Sequence, residues 1–232
     1  MKYKTINKFR KTHRFLGVFI GIQFLFWTIS GLYFSWTDIN EIHGDHYKKE
    51  VNISPVIQPY IIDSTLQKLP FALHSLKIKN LGMENFLWIN DSILIDPKSG
   101  LPLHEISENQ AIAVVKEHIL PAFKPKSAER ISEVGAHDEY RGRPLPAFRV
   151  PLSGEGNPVA YVDATSGEFQ RIRHRQWRWF DFLWMTHTMD YKGRDNFNTL
   201  LLRGFSLLGL ITVLSGFALA FVTSKWTIRK KT

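Results

Sequence analysis

The sequence predicts an α+β protein in which two membrane-spanning helices flank a domain outside the cytoplasm. Three observations support this fold class: two long apolar runs near the chain ends, a repeated strand–turn–strand motif between them, and a helix signal before the second copy of that motif. The 232 residues suffice for one or two small domains. The absence of Cys excludes disulfides, thiolate metal sites and a Cys nucleophile.

The two apolar runs are predicted to be transmembrane helices 1 and 2, at residues 15–36 and 200–222. The first has no charged residue and the second has only Arg203, and each reaches the roughly 20 residues that a spanning helix needs. The first run exceeds a signal-peptide core and no cleavage site follows it, so we interpret it as an uncleaved anchor. Basic tails at residues 1–14 and 223–232 predict cytoplasmic termini. They also account for the net charge of +9, which argues against a nucleic-acid partner.

The segment between the spans contains a repeat. Residues 92–103 (SILIDPKSGLPL) and 159–170 (VAYVDATSGEFQ) each place an Asp three residues before a Ser-Gly pair. An Asp side chain caps a turn and a Gly accepts positive φ, so each copy predicts a structural hairpin turn. The turn residues are Asp96 with Gly100 and Asp163 with Gly167.

A helix signal precedes the second copy. Ser107 and Gln110 fit a capping box, apolar residues follow at helical spacing, and Pro121 ends the run. A helix and an antiparallel sheet are therefore predicted for residues 106–175, and a weaker version for residues 37–105, with each sheet burying one face beneath its own helix. The first unit would have a helix at 60–69 and strands at 73–78, 85–89 and 93–95; the second would have strands at 130–134, 147–152 and 158–163.

Residues 176–199, before the second span, are predicted to form an interfacial amphipathic helix and a linker. Arg and Trp are interleaved from Arg171 onward. Such a mixture can stack on nucleic-acid bases, but directly before a span it is typical of a membrane surface. The predicted interface residues are Arg171, Arg173, Arg175, Trp177, Arg178, Trp179 and Trp184.

The stretches Glu139–Leu152 and Tyr161–Phe169 resemble a PepSY domain, and the two spans resemble PepSY-associated transmembrane helices. The matching residues around the spans are His13-Arg14, Ser30-Gly31, Trp184–His187, Met189-Asp190 and Ser215-Gly216. The resemblance covers nearly the full chain. It implies a short, two-span inner-membrane protein of Gram-negative bacteria whose periplasmic domain has two PepSY-like halves. Larger members have four or more spans, and some are haem-containing reductases of iron–siderophore complexes. Other PepSY domains inhibit or regulate peptidases.

Two function classes stay open. In the first, a haem-bearing or haem-associated subunit aids ferric-chelate reduction in iron uptake. It would need an external electron donor, because the sequence has no nucleotide or flavin motif. In the second, a haem-free regulatory or assembly subunit uses its PepSY domain to bind a periplasmic peptidase or a membrane complex. Whether the chain is an enzyme is therefore open. Its other expected partners are the lipid bilayer and either a second copy of itself or a larger membrane complex.

Histidines are the candidate ligands. His187 and His13 are candidates for haem b, and a hydrocarbon layer of about 30 Å would separate them, so each would serve a different haem in a homodimer. The alternative for His187 is a structural role with Asp190 as its hydrogen-bond partner. His43 and His46 form an H-x-x-H pattern that is a weak metal candidate, with a solvated loop as the alternative.

Overall fold

The computed structural model describes residues 3–51, 72–82 and 84–229 and divides the chain into two compact units. The helical unit comprises Met1–Thr37 and Phe180–Thr232, and the sheet unit comprises Asp38–Trp179. The predicted helix at 60–69 lies outside the described residues. The helices are α1 (Tyr3–Trp36), α2 (Ile39–His43), α3 (Glu108–His118), α4 (Arg175–Thr188) and α5 (Leu200–Arg229).

The sheet unit contains two antiparallel sheets whose strands are adjacent in chain order. The first sheet has β1 (Leu76–Leu81), β2 (Glu84–Ile89), β3 (Ile93–Ile95) and β4 (Pro102–Leu103); the second has β5 (Glu129–Ile131), β6 (Ala147–Pro151), β7 (Val159–Asp163) and β8 (Phe169–Arg173). The prediction of an α+β protein with two small antiparallel sheets and two candidate spans is thereby confirmed.

Helix α3 contributes to a core that both sheets share. Its N terminus has the predicted capping box, in which the Ser107 side chain accepts from the Gln110 N–H and the Gln110 side chain accepts from the Ser107 N–H at 2.8 Å. The buried face of α3 joins one hydrophobic cluster with side chains of both sheets; its members include Val114, Val115, Leu81, Phe86, Phe148 and Val162. Both halves of the repeat therefore share one hydrophobic core.

The two repeated turns have the same geometry. Gly167 donates to the carbonyl of Asp163 at 3.0 Å, and Gly100 donates to that of Asp96 at 2.8 Å. Both glycines have positive φ, +67° and +69°, a region that a residue with a Cβ rarely adopts. A Cβ built on Gly167 would overlap Leu81 Cδ2. The turn of the second sheet therefore contacts a strand of the first.

The helical unit contains two candidate membrane-spanning helices, over Ile6–Trp36 and Leu200–Val222. Only 17% and 11% of their most apolar windows are buried, whereas the core helix of a soluble protein is mostly buried. The helices run antiparallel: the rings of Phe19 and Phe205 lie 5.5 Å apart, and His13 contacts Ser215.

Candidate functional site: two histidine–serine pairs

The imidazole of His13, on α1, is hydrogen-bonded to α5. Its Nδ1 lies 2.6 Å from Ser215 Oγ, and this hydroxyl donates to the carbonyl of Thr212 at 2.7 Å. Because the serine proton is used by the carbonyl, we assign the serine oxygen as the acceptor of the histidine Nδ1–H. In the neutral imidazole with this tautomer, the His13 Nε2 carries the lone pair.

His187, near the end of α4, repeats this arrangement with a serine of α1. Its Nδ1 lies 2.7 Å from Ser30 Oγ, and the Ser30 hydroxyl donates to the carbonyl of Phe26 at 2.7 Å. Ser30 is completely buried. The same reasoning leaves a lone pair on the His187 Nε2.

The last carbonyls of α4 are capped by side chains of α1. Gln23 donates to the carbonyl of Thr186 at 3.4 Å, and Trp27 donates to that of His187 at 2.8 Å. Terminal carbonyls of a helix have no intrahelical partner, so these two donors fix where α4 ends. Near the C-terminal end of α1, the ring of Phe34 lies 4.8 Å from that of Phe180. The predicted interfacial helix thus corresponds to α4, whose second half lies lengthwise along α1. Its position at a membrane surface stays a prediction.

Ser30, and not Asp190, is the partner of His187. The Asp190 carboxylate accepts the backbone N–H groups of Asn196 at 2.9 Å and of Gly193 at 3.2 Å. The bond from Asn196 is the largest cause that lowers the pKa of Asp190. This carboxylate therefore organises the connection between α4 and α5. The expectation of an Asp190–His187 hydrogen bond is corrected.

The two histidine–serine pairs lie at opposite ends of the helical unit. His13 and Ser30 are both on α1, and the helical rise of 1.5 Å per residue places them about 25 Å apart along its axis. One planar cofactor cannot reach both imidazoles. Any ligand of these histidines therefore occupies two separate sites.

The H-x-x-H pattern does not form one helical face, because α2 ends at His43 and Gly44 adopts a φ of +81°. His46 instead contacts His174, with ring centroids 5.2 Å apart. His174 is 2% exposed and donates to two backbone carbonyls of α2 at 3.1 Å, and burial lowers its pKa. No sequence signal singled it out. Within the described ranges, no three His, Asp or Glu side chains form a metal-binding group.

Several predicted membrane-interface residues form contacts within the sheet unit. Trp177 is 8% exposed and stacks with the guanidinium of Arg173, which lies 4.0 Å from its ring centroid. Burial lowers the pKa of Arg173 to about 10. Arg178 pairs with Glu139 at 2.6 Å. Arg171 and Arg173 belong to β8, whereas Trp179 remains 58% exposed. Arg173 and Trp177 are therefore buried within the sheet unit, and the assignment of these residues to a membrane interface stays a prediction.

Of the other predicted interface residues, Arg175 is exposed and the ring of Trp184 lies 5.8 Å from that of Phe34.

Comparison of the chain with family models, with curated proteins and with solved structures finds no match. The PepSY resemblance therefore stays a prediction. The two histidine–serine pairs are the geometry from which a function can be argued.

Proposed function

We propose that this protein is a haem-associated electron-transfer subunit of a bacterial inner membrane that aids the reduction of ferric chelates during iron uptake. The observation that carries the proposal is that His13 and His187 each form a hydrogen bond to a serine through Nδ1, which leaves the Nε2 of the neutral imidazole available to a ligand. Histidines that bind metals typically donate their other ring N–H to a fixed acceptor, which sets the tautomer and the ring orientation.

Each histidine would hold a haem through its Nε2 and supply a ligand to the haem iron. The chain supplies one such histidine at each end of the helical unit, so a second histidine for each haem would come from the same residue of a second copy. Exposed apolar side chains near His13, such as Phe15 and Phe19 (75% and 51% exposed), offer the surface on which that copy would pack. This arrangement makes the functional form a homodimer.

A haem bound at each end would supply a one-electron carrier on each side of the membrane. The chain's own residues orient the ligands and exclude water: Ser30 and Ser215 hold the imidazoles, and Phe34 and Trp27 lie 5.6 and 6.5 Å from the His187 ring. The basic tails support cytoplasmic termini, and with two crossings the sheet unit lies in the periplasm. A separate protein supplies the electrons.

An absorption spectrum of detergent-purified protein from haem-replete cells tests the proposal. We expect a Soret band and, on reduction, split visible bands. His187→Ala and His13→Ala should each remove part of the haem, and together all of it. His43→Ala and His118→Ala are matched controls that should leave the spectrum intact. Ser30→Ala keeps the ligand but removes its acceptor, so haem affinity should fall about tenfold or more.

A colourless preparation would contradict the proposal and favour the haem-free regulatory or assembly subunit. In that case His187→Gln should preserve folding and function, because Gln can replace one hydrogen bond. The topology is tested with reporters fused after Thr232. A reporter that works only in the cytoplasm should be active, and a reporter that works only in the periplasm should be inactive.

A further inference from the structure

One face of the second sheet is rich in arginine. Arg149 on β6 pairs with Tyr161 on β7, and Tyr161 pairs with Arg171 on β8. Arg173 follows on the same face, because side chains two residues apart on a strand point the same way. This face is the one opposite α3, and Tyr140 covers it by stacking on Tyr161 with ring centroids 4.6 Å apart.

Two buried donors at this face lack an acceptor among the described residues. They are the hydroxyl of Tyr140, which is completely buried, and the Nε–H of Arg171. Both residues adjoin Tyr161, whose own hydroxyl donates to Glu139 at 2.8 Å. Buried polar groups in folded proteins almost always have a hydrogen-bond partner. Two orphan donors beside one side chain therefore indicate a missing acceptor.

Positive charge also exceeds negative charge here. Arg173 is 8% exposed, and its guanidinium donates to the backbone carbonyls of Glu139 and Ile172, at 3.2 and 3.4 Å, rather than to a carboxylate. The Glu139 carboxylate is occupied by Arg178 at 2.6 and 3.2 Å. Arg143 lies close enough to Tyr140 and Arg173 for its charge to affect the pKa of both. In the part of the chain that the structure describes, Arg143, Arg171 and Arg173 form no ion pair with an acidic side chain. Glu139 is the carboxylate whose charge acts most strongly on Arg173, but it is shared with Arg178 and Tyr161. A buried cation that is only partly compensated is costly, so the missing acceptor should carry negative charge.

We propose that this face binds a small oxyanion, a carboxylate or a phosphate, held by Arg143, Arg171 and Arg173 with the Tyr140 hydroxyl as a further donor. The planar fork of a guanidinium matches the two oxygens of such a group. Trp177 holds Arg173 in place by a cation–π contact, because its ring centroid lies 4.0 Å from the Arg173 guanidinium. The anion is either a free solute or the phosphate of a lipid headgroup. The proposal does not depend on haem.

Calorimetric titration of the full-length protein in detergent with citrate, at constant ionic strength against a chloride reference, tests the site. Citrate should bind saturably, and Arg143→Gln and Arg171→Gln should each weaken its affinity about tenfold. Arg130→Gln is the matched control in the same unit. Arg130 already has a bidentate partner in Glu105, with both distances 2.7 Å, so this variant should bind citrate as the native chain does.

Tyr140→Phe gives a second, independent result. Removing an orphan hydroxyl should raise the unfolding temperature without citrate and reduce the further increase that citrate produces. The same titration in phosphatidylcholine nanodiscs, with and without phosphatidylglycerol, identifies the source of the anion. Loss of citrate binding when phosphatidylglycerol is present indicates a headgroup phosphate, and unchanged binding indicates a free solute. Equal affinity in the native chain, Arg143→Gln and Arg171→Gln, or an equal response to chloride, would overturn the proposal.

Discussion

Gly167→Ala should destabilise the sheet unit through two separable effects. Gly167 has a φ of +67°, and an L residue in this region costs about 1–2 kcal/mol. The added Cβ would also overlap Leu81 Cδ2. Leu81 is 2% exposed and belongs to the shared core, so it can move only by repacking neighbours, at about 1–3 kcal/mol. The expected total is therefore about 2–5 kcal/mol.

Gly142→Ala is the matched control because it isolates the backbone effect. Gly142 has nearly the same φ, +68°, but a Cβ there meets nothing within 4 Å. Its expected cost is thus about 1–2 kcal/mol. Thermal unfolding of the full chain in detergent, followed by circular dichroism, measures both variants. For a unit of this size, 1 kcal/mol corresponds to a fall of about 4 °C in the unfolding temperature.

A double-mutant cycle with Leu81→Ala tests the cause directly. Leu81→Ala should itself cost about 2–5 kcal/mol by leaving a cavity, but in its presence the steric part of Gly167→Ala should vanish. The cycle should therefore show a favourable coupling of about 1–3 kcal/mol. Equal unfolding temperatures for Gly167→Ala and Gly142→Ala, together with zero coupling, would refute the contact between the turn and β1.

Three further expectations concern stability. Ser107→Ala removes the capping box of α3 and should cost about 1 kcal/mol, measured as a lower unfolding temperature. Burial lowers the pKa of His118 and of His174. Below about pH 6.5 the unfolded chain takes up protons that the folded chain does not, so stability should fall on acidification by up to about 1.4 kcal/mol per pH unit for each histidine, and less steeply in His118→Gln. Trp27→Phe loses the bond to the His187 carbonyl and should cost about 1 kcal/mol, whereas Trp36→Phe should change nothing measurable because Trp36 is 81% exposed.

The elements that could be predicted from the sequence are those specified by local chemistry. Two apolar runs predicted the candidate spans by length alone. The side chains of Ser107 and Gln110 bond to backbone groups within three residues, so their spacing specified where α3 begins. The D-x-x-S-G turns depend on one carboxylate and one glycine of the same turn. In each case the interacting residues are close together in the chain, so their spacing can be recognised in a single sequence.

The histidine–serine pairs could not be predicted, because their partners are 157 and 202 positions apart. The sequence shows Ser30-Gly31 and Ser215-Gly216 as small pairs that permit close helix approach, but only the register of the helices makes Ser30 and Ser215 acceptors. Burial of Trp177 was missed for a related reason. An Arg and Trp mixture has the same composition at a membrane surface and in an interior stack, and only the fold distinguishes them.

The register of α1 and α5 determines how deep each helix sits in a bilayer. The contacts of Phe19 with Phe205 and of His13 with Ser215 place Leu200 opposite a residue between about 24 and 28 of α1. A hydrocarbon layer of about 30 Å that contains the apolar part of α5 therefore ends near this level, and the last two turns of α1 rise above it. Because the chain has no Cys, single cysteines report this depth. Under the proposed topology, a membrane-impermeant maleimide added from outside should label Leu32→Cys and spare Val18→Cys, and protection of both positions would contradict this placement.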